Sequence, residues 1–248
     1  MIEIENLHKS FGQQVVLNGV NLTIRDGESL VIIGQSGCGK SVLLKHIVAL
    51  LQPDSGRVVV DGQDVFSLRH KELMAYRKKV GVLFQFGALF DSMTVGENVG
   101  FCLRENMGMH SKDIIPIVAE KLKLVGLNGI EHKMPSEISG GMKKRVALAR
   151  AIAAEPSILL YDEPTTGLDP ITADMINELI VDVNKKLGVT SIAVTHDMAS
   201  ANKIADRIVM LYGGNVVWDG SPDEIVRTDN AMVKQFINGS MTGPIQVN

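Results

Sequence analysis

Over residues 2–33 the apolar positions Ile2, Ile4, Val15, Leu17, Val20, Leu22 and Ile24 largely alternate with polar neighbours, the period of strands that bury one face. Asp26-Gly27 punctuates the pattern, and Ser29-Leu-Val-Ile-Ile33 is then apolar on both faces, as in a strand at the middle of a sheet. Gly34 to Gly39 break the run. Lys40 to Leu51 resume it at helical spacing, with Leu43, Leu44, Ile47 and Leu51 on one side. The order is strand, glycine loop, helix.

Pro53, Ser55 and Gly56 predict a turn, Arg57 to Asp61 a short strand turning at Asp61-Gly62, and Val80 to Phe84 another buried strand. Thr94 to about Leu127 is mostly helical in pattern, interrupted by Gly108 and Pro116, and reads as part of an inserted helical subdomain spanning about 88–155. Ser139 caps a predicted helix to Ala154, and Ser157 to Tyr161 is a second central strand ending in Asp162-Glu163. A helix over Ile171–Leu187, a strand over Ser191–Thr195, a helix over Met198–Ala205 and strands near Ile208–Leu211 and Val216–Trp218 follow. No internal repeat or low-complexity tract is present.

With 248 residues and 45% hydrophobic content, one sizeable core with an inserted subdomain is the expected economy. A formal net charge of −3 leaves no basic surplus for phosphate backbones, which argues against nucleic acid as the main partner. Cys38 and Cys102 share no metal or redox spacing, in keeping with a reducing compartment. The opening MIEIENLHKSFG has no basic stretch followed by an apolar one, so no signal peptide is read and a cytoplasmic location is expected. Val42 to Leu51, with Lys45 and His46 inside it, is about half the ~20 residues a membrane span needs. Contact with a membrane would come through a partner.

Gly34-Gln-Ser36-Gly37-Cys38-Gly39-Lys40-Ser41 matches G-x-x-x-x-G-K-[ST] between a buried strand and a helix, the context in which that pattern cradles phosphates. Its backbone N–H groups and helix N-terminus favour anions, Lys40 reaches the β- and γ-phosphates and the Ser41 hydroxyl can ligate Mg²⁺. A glycine-rich turn without a ligand would not account for the Lys-Ser pair. A nucleotide with Mg²⁺ also needs a carboxylate at a neighbouring strand tip. Ile158-Leu-Leu-Tyr-Asp162-Glu163 supplies two: Asp162 for the metal shell, and Glu163 to polarise a water for in-line attack.

Ile138-Ser-Gly-Gly-Met142, ending twenty residues before Asp162, makes the sequence resemble the ATP-binding-cassette family over nearly its whole length. Gln85 after the strand Val80 to Phe84, Gly167-Leu-Asp169, His196 and the Phe11 of Lys-Ser-Phe-Gly also fall in that family's order. The resemblance implies an α/β P-loop NTPase fold, an ABC-type nucleotide-binding domain over 1–238 with an antiparallel β subdomain and an inserted α-helical subdomain. It implies that Phe11 stacks on adenine, that Gln85 senses the γ-phosphate and Mg²⁺ and couples to a membrane partner, and that His196 contacts the γ-phosphate. Ser139, Gly140 and Gly141, opening a helix, suit the γ-phosphate of the other subunit's nucleotide. A homodimer sharing two ATP sites, with Asp169 at the interface, follows. Ile138 replaces the family's usual Leu and Met142 its usual Gln, the second removing a polar group and suggesting slower or more tightly controlled hydrolysis.

The loop Phe84 to Asn98, with Phe86, Leu89, Phe90 and Met93, fits an apolar groove for a permease helix. With Gly141 to Arg150 and the tail Gln235 to Ile245, it resembles the phospholipid-trafficking branch, the Mla systems that maintain outer-membrane lipid asymmetry, with relatives in chloroplast lipid import. That implies a permease, a periplasmic lipid-binding subunit, a small cytoplasmic subunit and a place at the cytoplasmic face of the inner membrane. The tail 239–248 reads as too polar for core and as a clasp on the partner subunit. The rival readings are an importer cassette for amino acids or another small solute, and a non-transport ATPase of translation or DNA repair. The second would carry paired cassettes, a long coiled coil or a zinc insertion, none of which is present. A regulatory module without turnover would lack Glu163.

Overall fold

Strands β1 (Ile2–Phe11) and β2 (Gln14–Ile24) form an antiparallel hairpin in which Ile2 faces Ile24 and Ile4 faces Leu22. The buried positions are Ile2, Ile4 and Leu7 against Leu17, Val20, Leu22 and Ile24, so the alternation slips once on each strand. The slips are register shifts at Asn6, whose φ is 45°, and next to Gly19. Each bulge adds one residue and returns the next apolar side chain to the inner face. With β4 (Ser55–Val60) and β5 (Gln63–Asp64) the hairpin makes an antiparallel sheet of order β2-β1-β4-β5.

The computed structural model describes residues 1–246 of the chain. They fall into two compact units, Met1–Leu73 with Ile192–Asn248, and Met74–Ser191. Besides the antiparallel sheet, the first holds β3 (Ser29–Ile33), wholly buried and parallel to β9 (Arg207–Tyr212), with β10 (Asn215–Gly220) antiparallel beyond β9. The apolar run predicted for a central strand is this β3. Helix α1 (Lys40–Ile47) follows the glycine loop. It stops four residues short of the predicted Leu51, because Ala49 turns into the left-handed region at φ 55° and the N–H groups of Leu50 and Leu51 fold back on the Lys45 carbonyl.

The chain passes into the second unit along α2 (His70–Lys78), a helix absent from the sequence reading. Among its residues only Tyr76 is buried, so no apolar stripe marks it. The second unit pairs β6 (Val80–Leu83) with β7 (Ile158–Asp162) in parallel and carries α3 (Val95–Glu105), α4 (Ser111–Leu124), α5 (Gly140–Ile152) and α6 (Pro170–Leu187). Thr94 and Glu97 close α3 with a capping box. The expected interruption at Gly108 occurs, but that at Pro116 does not: Pro116 lies inside α4. Buried Ile114, Val118 and Leu122 hold that helix through the lost hydrogen bond.

Strand β8 (Thr190–Thr195), buried throughout, crosses back into the first unit and leads to α7 (Met198–Ile204). Two further helices went unread in the sequence: α8 (Pro222–Arg227), opened by a Ser221–Glu224 capping box, and α9 (Ala231–Asn238), capped by Asn230. The tail corrects the expectation that it is too polar for core. Ile245 is 3% exposed, its N–H donates to Gln235 Oε1 at 2.7 Å, and its carbonyl accepts from Gln235 Nε2 at 3.0 Å. One buried amide on α9 thus seats the tail on its own chain; Val247 and Asn248 lie outside the described residues. Among the described residues no helix is long and apolar enough to cross a membrane.

Candidate functional site

The phosphate-loop residues Gly34, Ser36, Gly37, Cys38 and Gly39 run from the end of β3 into α1, whose first two residues are Lys40 and Ser41. Lys40 is buried, and its Nζ donates to the loop's own carbonyls at Gly34 (2.8 Å) and Gln35 (3.0 Å). Its ammonium is therefore fixed in the bend of the loop, where a polyphosphate needs its counter-charge. Gly39 approaches β2 so closely that a Cβ would lie 2.9 Å from the Val16 carbonyl, while its φ of 104° is one that side chains disfavour. The loop thus rests on the hairpin whose first strand ends in exposed Phe11. Lys9 Nζ lies 5.6 Å from the Phe11 ring centroid.

In the same unit, His196 is exposed just after β8. Asp197 caps the following helix, its carboxylate accepting from the N–H groups of Ala199 (3.2 Å) and Ser200 (3.0 Å) and from the Ser200 hydroxyl (2.5 Å). Burial alone would raise the Asp197 carboxyl; these hydrogen bonds outweigh it and hold it below the usual carboxylate range, with help from His196.

The second unit carries the carboxylates. Strand β7 is anchored beneath them by the Tyr161 hydroxyl, which donates to Asn184 Oδ1 at 2.7 Å while Asn184 Nδ2 donates to Ser191 Oγ at 2.9 Å. Burial pushes the Tyr161 phenol far up, so it stays a neutral donor. Asp162 is half-buried at the strand end. Glu163, 9% exposed, turns left-handed at φ 48° and so leaves the strand direction. The Thr166 hydroxyl donates to Glu163 Oε2 at 3.3 Å. Gln85 is half-buried just beyond β6.

Ser139 is the N-cap of α5, its hydroxyl accepting from the Met142 N–H at 3.3 Å, which leaves the O–H proton free to donate outward. Ser139 and Gly140 are exposed and Ile138 is buried, so its exchange for the family's leucine concerns packing only. A Cβ on Gly141 would press to 2.8 Å from Thr172 Cγ2, so a side chain there forces its neighbour to shift. Thr172 belongs to α6, whose N-cap Asp169 accepts from the N–H groups of Ile171 (3.1 Å) and Thr172 (3.0 Å) and from the Thr172 hydroxyl (2.6 Å). The Thr172 hydroxyl first, then these N–H groups, lower the Asp169 carboxyl.

Two side chains that hold the backbone around these residues escaped the sequence reading. Lys144, on the buried face of α5, has its Nζ on the carbonyls of Gln85 and, at 3.4 Å, of Glu163. Burial lowers it to about 8, against the pull of the Glu163 and Asp162 charges. Arg150 donates to the carbonyls of Gly87 (2.6 Å) and Ala88 (2.7 Å). The available signal was a lysine at helical spacing with Ala147, Leu148 and Ala151, a cation inside an apolar stripe. Phe86 is 79% exposed in the loop after Gln85, and a cleft of about 430 Å³ beside it is lined by Phe84, Ala88, Phe90, Phe101 and Arg150 among others.

The sequence matches the family model described as ABC transporter over residues 17–166. It is 45% identical to the "Probable ribonucleotide transport ATP-binding protein mkl" of Mycobacterium tuberculosis, across 98% of this chain and 68% of that protein. It is 41% identical to the "Intermembrane phospholipid transport system ATP-binding protein MlaF" of Haemophilus influenzae, across 99% of this chain and 93% of that one. Among solved structures, a dimeric post-hydrolysis state of the ATP-binding cassette MJ0796, bound to ADP and Pi, is 34% identical with a TM-score of 0.81, covering 90% of this chain and 99% of that one.

Proposed function

The chain belongs to the ABC transporter family as an ATP-binding subunit that hydrolyses ATP, and we propose that the transport it powers is of phospholipid between two membranes. The observation that carries the lipid reading is the near end-to-end overlap with the MlaF relative, 99% of this chain against 93% of that one, where the mkl relative is matched over 68% of its length. The apolar loop after Gln85 supports it, because Phe86, Phe84 and Phe90 stand exposed where a permease helix would be received. The ribonucleotide named for the mkl relative and a small-solute importer are the competing cargoes.

In this reading Lys40 neutralises the β- and γ-phosphates, the loop N–H groups from Gly34 to Gly39 bind them, and Phe11 stacks on the adenine. Ser41, Asp162 and Gln85 offer a hydroxyl, a carboxylate and an amide oxygen, a hard oxygen donor set suited to Mg²⁺. That ion would supply charge neutralisation at the phosphates. Glu163 accepts a proton from the attacking water, and His196 donates to the γ-phosphate. Ser139, Gly140 and Gly141 complete the site of a second copy, so the working unit is a homodimer. Asp169 contributes at its interface.

The nucleotide-binding domain spans 1–238 in this proposal, with the helical subdomain over about 88–155 and the tail 239–248 as a dimer clasp. The clasp keeps the Gln235 amide as its seat and exchanges only whose tail fills it, as in domain swapping. Permease subunits, a periplasmic lipid-binding subunit, a small cytoplasmic subunit and attachment at the cytoplasmic face of the inner membrane complete the assembly. The test is purification of this chain from its native membrane in mild detergent, with mass spectrometry of associated proteins and lipid. A permease with phospholipid is expected; a permease with an amino-acid or nucleotide receptor and no lipid overturns the cargo.

A further inference from the structure

Lys144 is 5% exposed, and the contacts of its ammonium are with backbone carbonyls of two different segments. One is Gln85, two residues past β6; the other is Glu163, just past β7. The side chain comes from α5, the helix that Ser139 opens. Lys121, the other buried lysine of this unit outside the phosphate loop, instead meets the carboxylates of Glu120 (3.2 Å) and Glu155 (3.0 Å), the ordinary means of burying a charge. Lys144 thus spends a costly buried charge on orienting peptide groups. Arg150 extends the same grip to the carbonyls of Gly87 and Ala88, where the backbone is left-handed at both residues, with φ 76° and 46°.

We infer that Lys144 is a positioning residue for hydrolysis, setting the backbone of Gln85 and of Glu163 in one fixed relation and tying both to the helix opened by Ser139. The inference rests on the reading of Glu163 as the base that activates water. Without the ammonium the Glu163 carbonyl keeps its turn bond from the Thr166 N–H at 3.3 Å, but the shared donor that sets its spacing to the Gln85 carbonyl is gone, so the two segments can shift relative to each other. Displacement of a catalytic group by about 1 Å costs on the order of a hundredfold in rate. The phosphate loop at 34–41 makes none of these contacts, so ATP affinity should be spared.

The test compares Lys144→Met, Lys144→Gln and Lys144→Arg in the full-length chain, measuring kcat and KM for ATP together with thermal unfolding. Methionine fills the space without donors, glutamine donates without charge, and arginine retains both. The expected result is a kcat lowered by about ten- to a hundredfold in Lys144→Met with KM within about twofold, a smaller loss in Lys144→Gln, and recovery in Lys144→Arg. Wild-type kcat in folded Lys144→Met overturns the inference, as does a loss that appears in KM alone. If Lys144→Met does not fold, Lys144→Gln decides: unchanged kcat or a changed KM refutes the inference, and a lowered kcat at constant KM upholds it. Glu163→Gln measured alongside separates the two claims, since normal turnover in that variant would remove the base itself, whereas normal turnover in Lys144→Met with a dead Glu163→Gln removes only the role of Lys144.

Discussion

At the level of single residues, the proposed chemistry is divided between charge that holds phosphate and charge that moves a proton, and each half has a direct test. Glu163 is buried and turned out of its strand by a left-handed backbone, so replacing its carboxylate by an amide keeps the shape and removes the proton acceptor. Glu163→Gln should lower ATP turnover by about 10²- to 10⁴-fold while leaving nucleotide binding intact, which steady-state ATPase assays and equilibrium binding of a labelled nucleotide will show. Cys38 gives the complementary test on the phosphate side. It is half-exposed within the loop, so alkylation by a small maleimide should block nucleotide binding and saturating ATP should slow the modification. Full binding by the alkylated protein would displace the phosphates from this loop.

Among the secondary-structure elements, the two helices that open at Ser139 and Asp169 are fitted to each other through a single missing side chain. Gly141→Ala would press a methyl to 2.8 Å from Thr172 Cγ2, and overpacking of this kind costs about 1–3 kcal/mol. Thr172→Ser removes that methyl and keeps the hydroxyl bonded to Asp169, so adding it to Gly141→Ala should recover most of the lost stability in chemical denaturation. Helix α7 carries a pH signature. The Asp197 carboxyl is held below its unfolded value, so its cap stabilises the protein above the ordinary carboxylate pKa and fades as pH falls through the folded one. Asp197→Ala should therefore cost about 1 kcal/mol at pH 7 and progressively less under acid unfolding conditions.

These same elements show what the sequence could and could not disclose. The strand, glycine loop and helix from Ser29 to Ile47 were legible because a doubly apolar run, a fixed glycine spacing and Lys-Ser coincide there. Ser139 as a helix cap was legible for a similar reason: it follows a local rule about one residue. Helix α2 was hidden, since a polar helix that buries only Tyr76 has no period to read. Helix α8 had a readable Ser-Pro-Asp-Glu start that the strand signals around it obscured. The carbonyl grip of Lys144 could not be read, because it depends on which distant peptide groups the fold turns toward one ammonium.

For the molecule as a whole, the phosphate loop, Phe11 and His196 lie in one unit, and Gln85, the α5 N-terminus and the paired carboxylates lie in the other. The same chain carries exposed Phe86 and a neighbouring cleft, the proposed landing place of a membrane partner, so the account joins a proposed hydrolytic site to a proposed docking loop. Its central claim is that turnover at Glu163 moves phospholipid. The most direct measurement is transfer of a fluorescent phospholipid from donor to acceptor membranes by the complex purified with this chain and reconstituted with ATP. The account predicts ATP-dependent transfer that stops in the Glu163→Gln complex; ATP hydrolysis by the wild-type complex with no movement of phospholipid in either direction would contradict it.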